Sequence, residues 1–156
     1  MSTIENRINE LGMKLPPLAP PLAAYVPAIH TGNLVFTAGQ LPTIEGKLIA
    51  EGLVGEGAGS VSLEIAQQCA QQSALNALAA IKSVVGDLDR VERIVKVTGF
   101  VACESSFTSH SLVINGASEL IGEIFGAAGL HARSAVGMSS LPFNAPVEIE
   151  MIVEVR

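Results

Sequence analysis

Between Val147 and Val155 the chain alternates with a period of two: Val147, Ile149, Met151, Val153 and Val155 are apolar, and Glu148, Glu150, Ile152 and Glu154 fall between them. Only an extended strand puts every second side chain on one face, so the segment predicts a β-strand with a core face and a carboxylate face. Such a strand needs a sheet, and that sheet needs cover on its apolar side. Arg133 to Ser140 reads as the preceding strand, joined to the last one through the sequence LPFNAP. Treated as a hairpin with 140 opposite 147, the pair sets Arg133 opposite Glu154 and Glu148 opposite Ser139. The same parity turns Val136 and Met138 toward the core, and Arg133, Ala135, Gly137 and Ser139 toward the helix-free side.

The rest of the chain supplies the cover. Thr3 to Leu11 reads as a short helix with Ile4, Ile8 and Leu11 on one stripe and Gly12 as its stop. Four prolines between Leu15 and Leu22 favour an extended connector. Tyr25 to His30 and Leu34 to Ala38 predict a hairpin around Thr31-Gly32-Asn33, and Gly46 to Ala50 a further short edge strand. Ser62 to Val85 has the stripe of a long amphipathic helix, stopped by Gly86. Val91 to Cys103 is β-branched and strand-like, and Thr108 to Phe125 predicts a second long helix interrupted at Asn115-Gly116. The order β-β-(β)-α-β-α-β-β predicts an α+β two-layer sandwich, a mixed sheet with two helices on one face. The domain runs over residues 23–156, preceded by an arm, residues 1–22.

A chain of 156 residues is about one domain's worth. Hydrophobic residues make up 49% and charged residues 15%, too little charge to solvate the whole surface of a monomer, which predicts self-association. Leu34-Val35-Phe36 has no polar face, so a second subunit is expected over the open side of the sheet. A net charge of -6 leaves no electrostatic footprint for nucleic acid or an anionic membrane. No apolar run has spanning length and no charged leader precedes one, so the expected address is the cytoplasm.

Several other signals point to no chemistry. Cys69 and Cys103 lack metal or redox spacing and read as small fillers. The VGEGAGS segment, Val54 to Ser60, lacks the lysine of a phosphate loop and carries Glu56, so it reads as a flexible loop. His30, His110 and His131 share no ligand spacing, and no metal is expected. Ser134 and Ser139 have no evident triad partners. Two readings of Arg133 stay open: a cross-strand ion pair with Glu154, or a two-pronged hold on a ligand carboxylate, which guanidinium offers and lysine does not.

Three separated blocks carry a resemblance to a known family: AAYVPAIHTGNLVFTAGQLP (Ala23 to Pro42), VKVTGFV (Val95 to Val101) and HARSAVGMSSLPFNAPVEIEMIVEV (His131 to Val155). They resemble the RidA/YjgF family of reactive-intermediate deaminases, also known as L-PSP endoribonucleases, and the arm resembles that of a longer subgroup. The resemblance implies a chorismate mutase-like fold, a homotrimer with ligand sites between subunits, and cofactor-free hydrolysis of small carboxylate-bearing enamines and imines. Arg133 matches the family's carboxylate-binding arginine, and Glu148 the glutamate that positions water or moves protons. Tyr25 matches the aromatic bordering the pocket, Gly39 a backbone contact to ligand, and Asn115 a helix asparagine. Ala135 stands in the substrate site where a cysteine is common, and Ala38 where a serine often precedes the glycine. The hairpin register separates Glu148 from Arg133 by roughly 20 Å along the strand, so joint action on one small ligand requires a neighbouring subunit. A noncatalytic 2-oxo acid sensor or partner protein is the alternative; an endoribonuclease fits the acidic chain less well.

Overall fold

Helix α1 (Thr3–Glu10) is fixed at its start from two directions. The Ser2 hydroxyl accepts the Glu5 amide, and the Asp89 carboxylate accepts the amides of Thr3 and Ile4 at 2.9 Å each. Those bonds to backbone amides, Ile4 foremost, hold the Asp89 carboxyl below its usual range. Ile8 is fully buried beneath the helix, and Glu5 pairs with Lys82 at 2.7 Å. The arm's helix is therefore docked on the domain. The computed structural model describes residues 2–156 apart from 19 and 22, so Ala19 and Leu22 of the proline connector lie outside the described residues.

Helix α2 (Leu63–Val85) starts where the Ser62 hydroxyl accepts the Ile65 amide, and stops at Gly86. Its alanine-rich stripe is buried and lets α3 (His110–Phe125) approach closely. At the crossing, a Cβ on Gly116 would collide with the Gln67 backbone carbonyl. The expected interruption at Asn115-Gly116 is thus corrected: α3 is continuous, and its glycine is a packing requirement rather than a break.

The strands are β1 (Ala28–Thr31), β2 (Leu34–Thr37), β3 (Thr43–Ile44), β4 (Lys47–Leu48), β5 (Val91–Ala102), β6 (Ala132–Met138) and β7 (Val147–Val155). Five form a sheet in the order β1-β2-β7-β5-β6, while β3 and β4 form a small sheet of their own, so residues 46–50 do not extend the main one. The β1–β2 turn has Gly32 and Asn33 at its tip, with Thr31 paired to Leu34. Tyr25 lies before β1, in a bend rather than a strand. Val35, Val97, Val101, Ile149, Met151 and Val153 pack on one face of the sheet against Leu78, Ile81, Ile114 and Ile121 of the helices, all buried. The result is a two-layer α+β sandwich. Among the described residues no helix is long and apolar enough to cross a membrane.

The expected β6–β7 hairpin is overturned. Strand β5 lies between them, antiparallel to β7 and parallel to β6. Arg133 sits opposite Val97, and Phe100 links Val136 on one side to Glu148 on the other. Because paired residues share a face, Arg133, Ala135 and Gly137 join Val97, Gly99 and Val101 on the helix side. Val136 and Met138, expected in the core, are instead 42% and 38% exposed on the open side. Glu154 faces Asn33, whose side-chain amide donates at 2.9 Å, and Arg93 at 3.9 Å, so it is no partner of Arg133. The open face carries apolar rows, with Ile29 54% and Phe36 40% exposed beside Ile152.

The close α2–α3 crossing sets a first prediction. Gly116→Ala should destabilise the chain by about 1–3 kcal/mol through overpacking against the Gln67 backbone, read as a lower urea midpoint. An unchanged midpoint would mean that the two helices separate without cost.

Candidate functional site

Arg133 stands on the edge strand β6 and reaches under it to α3. Its Nη1 donates to Asn115 Oδ1 at 2.9 Å and to Ser118 Oγ at 3.2 Å, and its Nη2 donates to the Ser111 carbonyl at 3.4 Å. Ser111, Asn115 and Ser118 follow one another at spacings of four and three residues, which is one face of a helix. His131 completes the support. Its Nδ1 lies 2.6 Å from the Gly129 carbonyl, which can only accept, so that nitrogen carries the proton. Nε2, 2.9 Å from Ser118 Oγ, then accepts the hydroxyl hydrogen and leaves the serine lone pairs for Arg133.

Every one of these acceptors is neutral. Among the described residues no carboxylate stands within ion-pair distance of Arg133. The guanidinium is therefore oriented without being neutralised, and of its five N–H groups the Nε–H and one Nη2–H are left for a ligand. That is the donor set for a two-pronged contact with a carboxylate or another planar anion. Ala135, next along the same face, is small and half-buried. Beyond it a Cβ on Gly137 would collide with the His110 imidazole, whose Nε2 lies 3.4 Å from Cys103 Sγ. Burial, with the Glu104 charge adding to it, pushes the Cys103 thiol up, which keeps it protonated.

Glu148 forms a second corner, on the open face. Gln40 exchanges both backbone hydrogen bonds with Ile149, at 2.8 and 3.0 Å, and this lays Gly39 beside the Glu148 side chain. A Cβ at Gly39 would overlap the Glu148 carboxylate, so a larger residue there would displace that side chain. Burial, with the Glu150 charge adding to it, raises the Glu148 carboxyl above its ordinary range. The Ala38 amide bonds to the Pro27 carbonyl, which brings the loop of Tyr25 to the same end of the sheet; Tyr25 is 51% exposed.

Within one chain, then, Arg133, Asn115 and Ala135 belong to one corner and Glu148 and Gly39 to another, on opposite faces of the sheet, while Tyr25 lies in the bend before β1. Ser111 and Ser118 were not singled out in the sequence, although their helical spacing around Asn115 is the signal that finds them. A cavity of about 490 Å³ between the arm and α2, lined by Met13, Leu15, Gln68 and Leu75 among others, contains none of these groups.

Comparison with known proteins places the chain. The family described as "YjgF/chorismate mutase-like, putative endoribonuclease" matches residues 5–155. Protein TCP17 of Trypanosoma cruzi is 40% identical over 150 residues, spanning 96% of this chain and 92% of its own. The crystal structure of Atu1372 from Agrobacterium tumefaciens, a protein of unknown function, superposes with a TM-score of 0.90 at 46% identity, covering 99% of this chain and 93% of that one. E. coli TdcF with bound serine superposes at 0.63 with 27% identity over 91% of this chain and 94% of that one. Fold, sequence and length agree, and the chain belongs to the YjgF/chorismate mutase-like family.

Proposed function

We propose that the protein is a cofactor-free hydrolytic deaminase of small carboxylate-bearing enamines and imines, acting as a homotrimer with each site built between two subunits. The observation that carries this reading is the oriented, un-neutralised guanidinium of Arg133. An arginine positioned only by an asparagine, a serine and a carbonyl keeps its charge for an incoming anion. The bound serine of TdcF, itself a small carboxylate, supports the reading by analogy. The apolar rows on the open face support the assembly, because such a surface is stable only under cover. A neighbouring copy that covers it can bring its own Arg133 edge to the Glu148 corner.

The chemistry asks little more of the protein. An imine carbon is already electrophilic, so with the carboxylate held by Arg133 the remaining task is a placed water and proton transfer. Glu148 takes a proton from the water as its oxygen bonds to the imine carbon. It passes that proton to the nitrogen, giving a carbinolamine, and then carries the remaining hydroxyl proton to the nitrogen as the C–N bond breaks and the C=O bond forms, giving a 2-oxo acid and ammonia. A carboxyl raised by burial suits this exchange, being closer to neutral pH than an ordinary glutamate.

A noncatalytic sensor of 2-oxo acids is favoured by one observation: the Arg133 support is complete on its own face and does not involve Glu148. Ribonuclease activity, named in the family description, fits less well with a net charge of -6 and a chain of one Tyr, five Phe and no Trp.

Light scattering is expected to give about three times 16.1 kDa; a monodisperse monomer at micromolar concentration overturns the intersubunit site. Arg133→Lys should weaken 2-oxobutyrate binding by about 1.5–3 kcal/mol and Arg133→Ala should abolish it, both read by calorimetry. Glu148→Gln should keep most of that binding while slowing imine turnover about 10²- to 10⁴-fold. Wild-type binding without turnover would decide for the sensor. The pH dependence follows from the direction of the Glu148 shift: the base form is lost as pH falls through a raised pKa. The acid limb of kcat/KM should therefore lie above the ordinary glutamate value of about 4.3, and Glu148→Gln should remove it.

A further inference from the structure

The small β3–β4 sheet and the loop before β7 enclose a cavity of about 550 Å³, lined by Leu41, Leu48, Lys47, Glu51 and Phe143 among others. Nothing in the proposed chemistry uses it. Its position relative to Glu148 follows from the Gln40–Ile149 bridge: Ile149 is the neighbour of Glu148 in β7, and Leu41, the residue after Gln40, lines the cavity. The segment Gly39 to Leu41 thus runs from the Glu148 side chain to the cavity wall.

The walls are held in place. Asn76 of α2 donates to the carbonyls of Leu41 at 2.9 Å and Thr43 at 3.1 Å, fixing the start of the β3–β4 hairpin. The Gly52 amide donates to the Asn144 carbonyl at 2.9 Å, tying the end of that segment to the loop before β7. Within this loop Phe143 and Asn144 both take left-handed backbone conformations, φ +58° and +64°. A bulky residue enters that region only against steric resistance, and such strain persists where the surroundings enforce it. Burial of the ring does not offset it, since Phe143 remains 67% exposed. The strained turn sets Phe143 in the cavity lining. Lys47 and Glu51, both exposed, also line it.

We propose that this cavity receives the substrate's side chain, and that Phe143 selects imines derived from amino acids with bulky apolar side chains, branched aliphatic or aromatic, over those with one or two carbons. The inference rests on the imine deaminase reading above and adds a substrate class to it. An apolar pocket of fixed walls favours the larger apolar group by roughly 10- to 200-fold per well-fitted contact.

The test generates imines in place with an amino-acid oxidase from alanine, leucine and phenylalanine, and follows the acceleration of ammonia release by the full-length protein. The expected result is a kcat/KM at least about tenfold higher for the leucine and phenylalanine imines than for the alanine imine. Phe143→Ala should remove most of that preference by lowering kcat/KM for the leucine and phenylalanine imines. Phe143→Gly, which suits the left-handed backbone and so preserves the loop, should do the same. Equal rates for large and small imines in the wild type, or an unchanged preference in Phe143→Gly, overturn the inference and leave the deaminase reading standing. Acceleration of none of the three imines defeats both.

Discussion

Strand β5 is the constraint on which the rest of the molecule depends. By pairing antiparallel with β7 and parallel with β6, it decides which side of the sheet each functional residue occupies. Its register fixes Glu148 on the open face through Phe100 and Arg133 on the helix face through Val97. A one-residue slip on either side would send one of them through the sheet. The buried valines at 97 and 101 and the close fit of Gly99 against Ile114 on α3 resist such a slip, because they fill the core only in this register.

The two corners follow opposite electrostatic strategies. Around Arg133 the protein spends neutral hydrogen-bond acceptors to aim a charge without cancelling it. Around Glu148 it withdraws water and adds a second carboxylate, which weakens the hold on negative charge. In the proposed reaction one corner holds an anion and the other exchanges a proton. In the proposed assembly a second copy brings the two together, and the exposed apolar rows of the open face are the surface it would cover.

The sequence was most legible where one local force rules. The period-two pattern located β7 to the residue, and the serine and glycine around α2 marked its ends. The order of elements gave the two-layer sandwich. What misled was the short distance in sequence between β6 and β7, which suggests a hairpin, when a crossover through α3 had already paired β6 with β5. Periodicity tells that Arg133 and Val136 face opposite ways and not which of them faces the helices; only the sheet order supplies the sign. Asn115-Gly116 misled for a related reason, since a glycine that breaks a helix and one that lets another helix pass close look alike in sequence. Arg133 was singled out by resemblance and by its chemistry, while the bonds that Ser111 and Ser118 make to it, and His131 to Ser118, follow from α3 lying under β6.

The place of β6 at the end of the sheet has one more consequence. Its outer side carries a row of backbone donors and acceptors that no described strand satisfies, next to exposed Val136 and Met138. Edges of this kind are templates for unwanted strand addition. The strand that carries Arg133 is therefore also the one that an isolated subunit can least leave bare, so in the proposed trimer conditions that separate the subunits should lead to aggregation before they lead to clean unfolding.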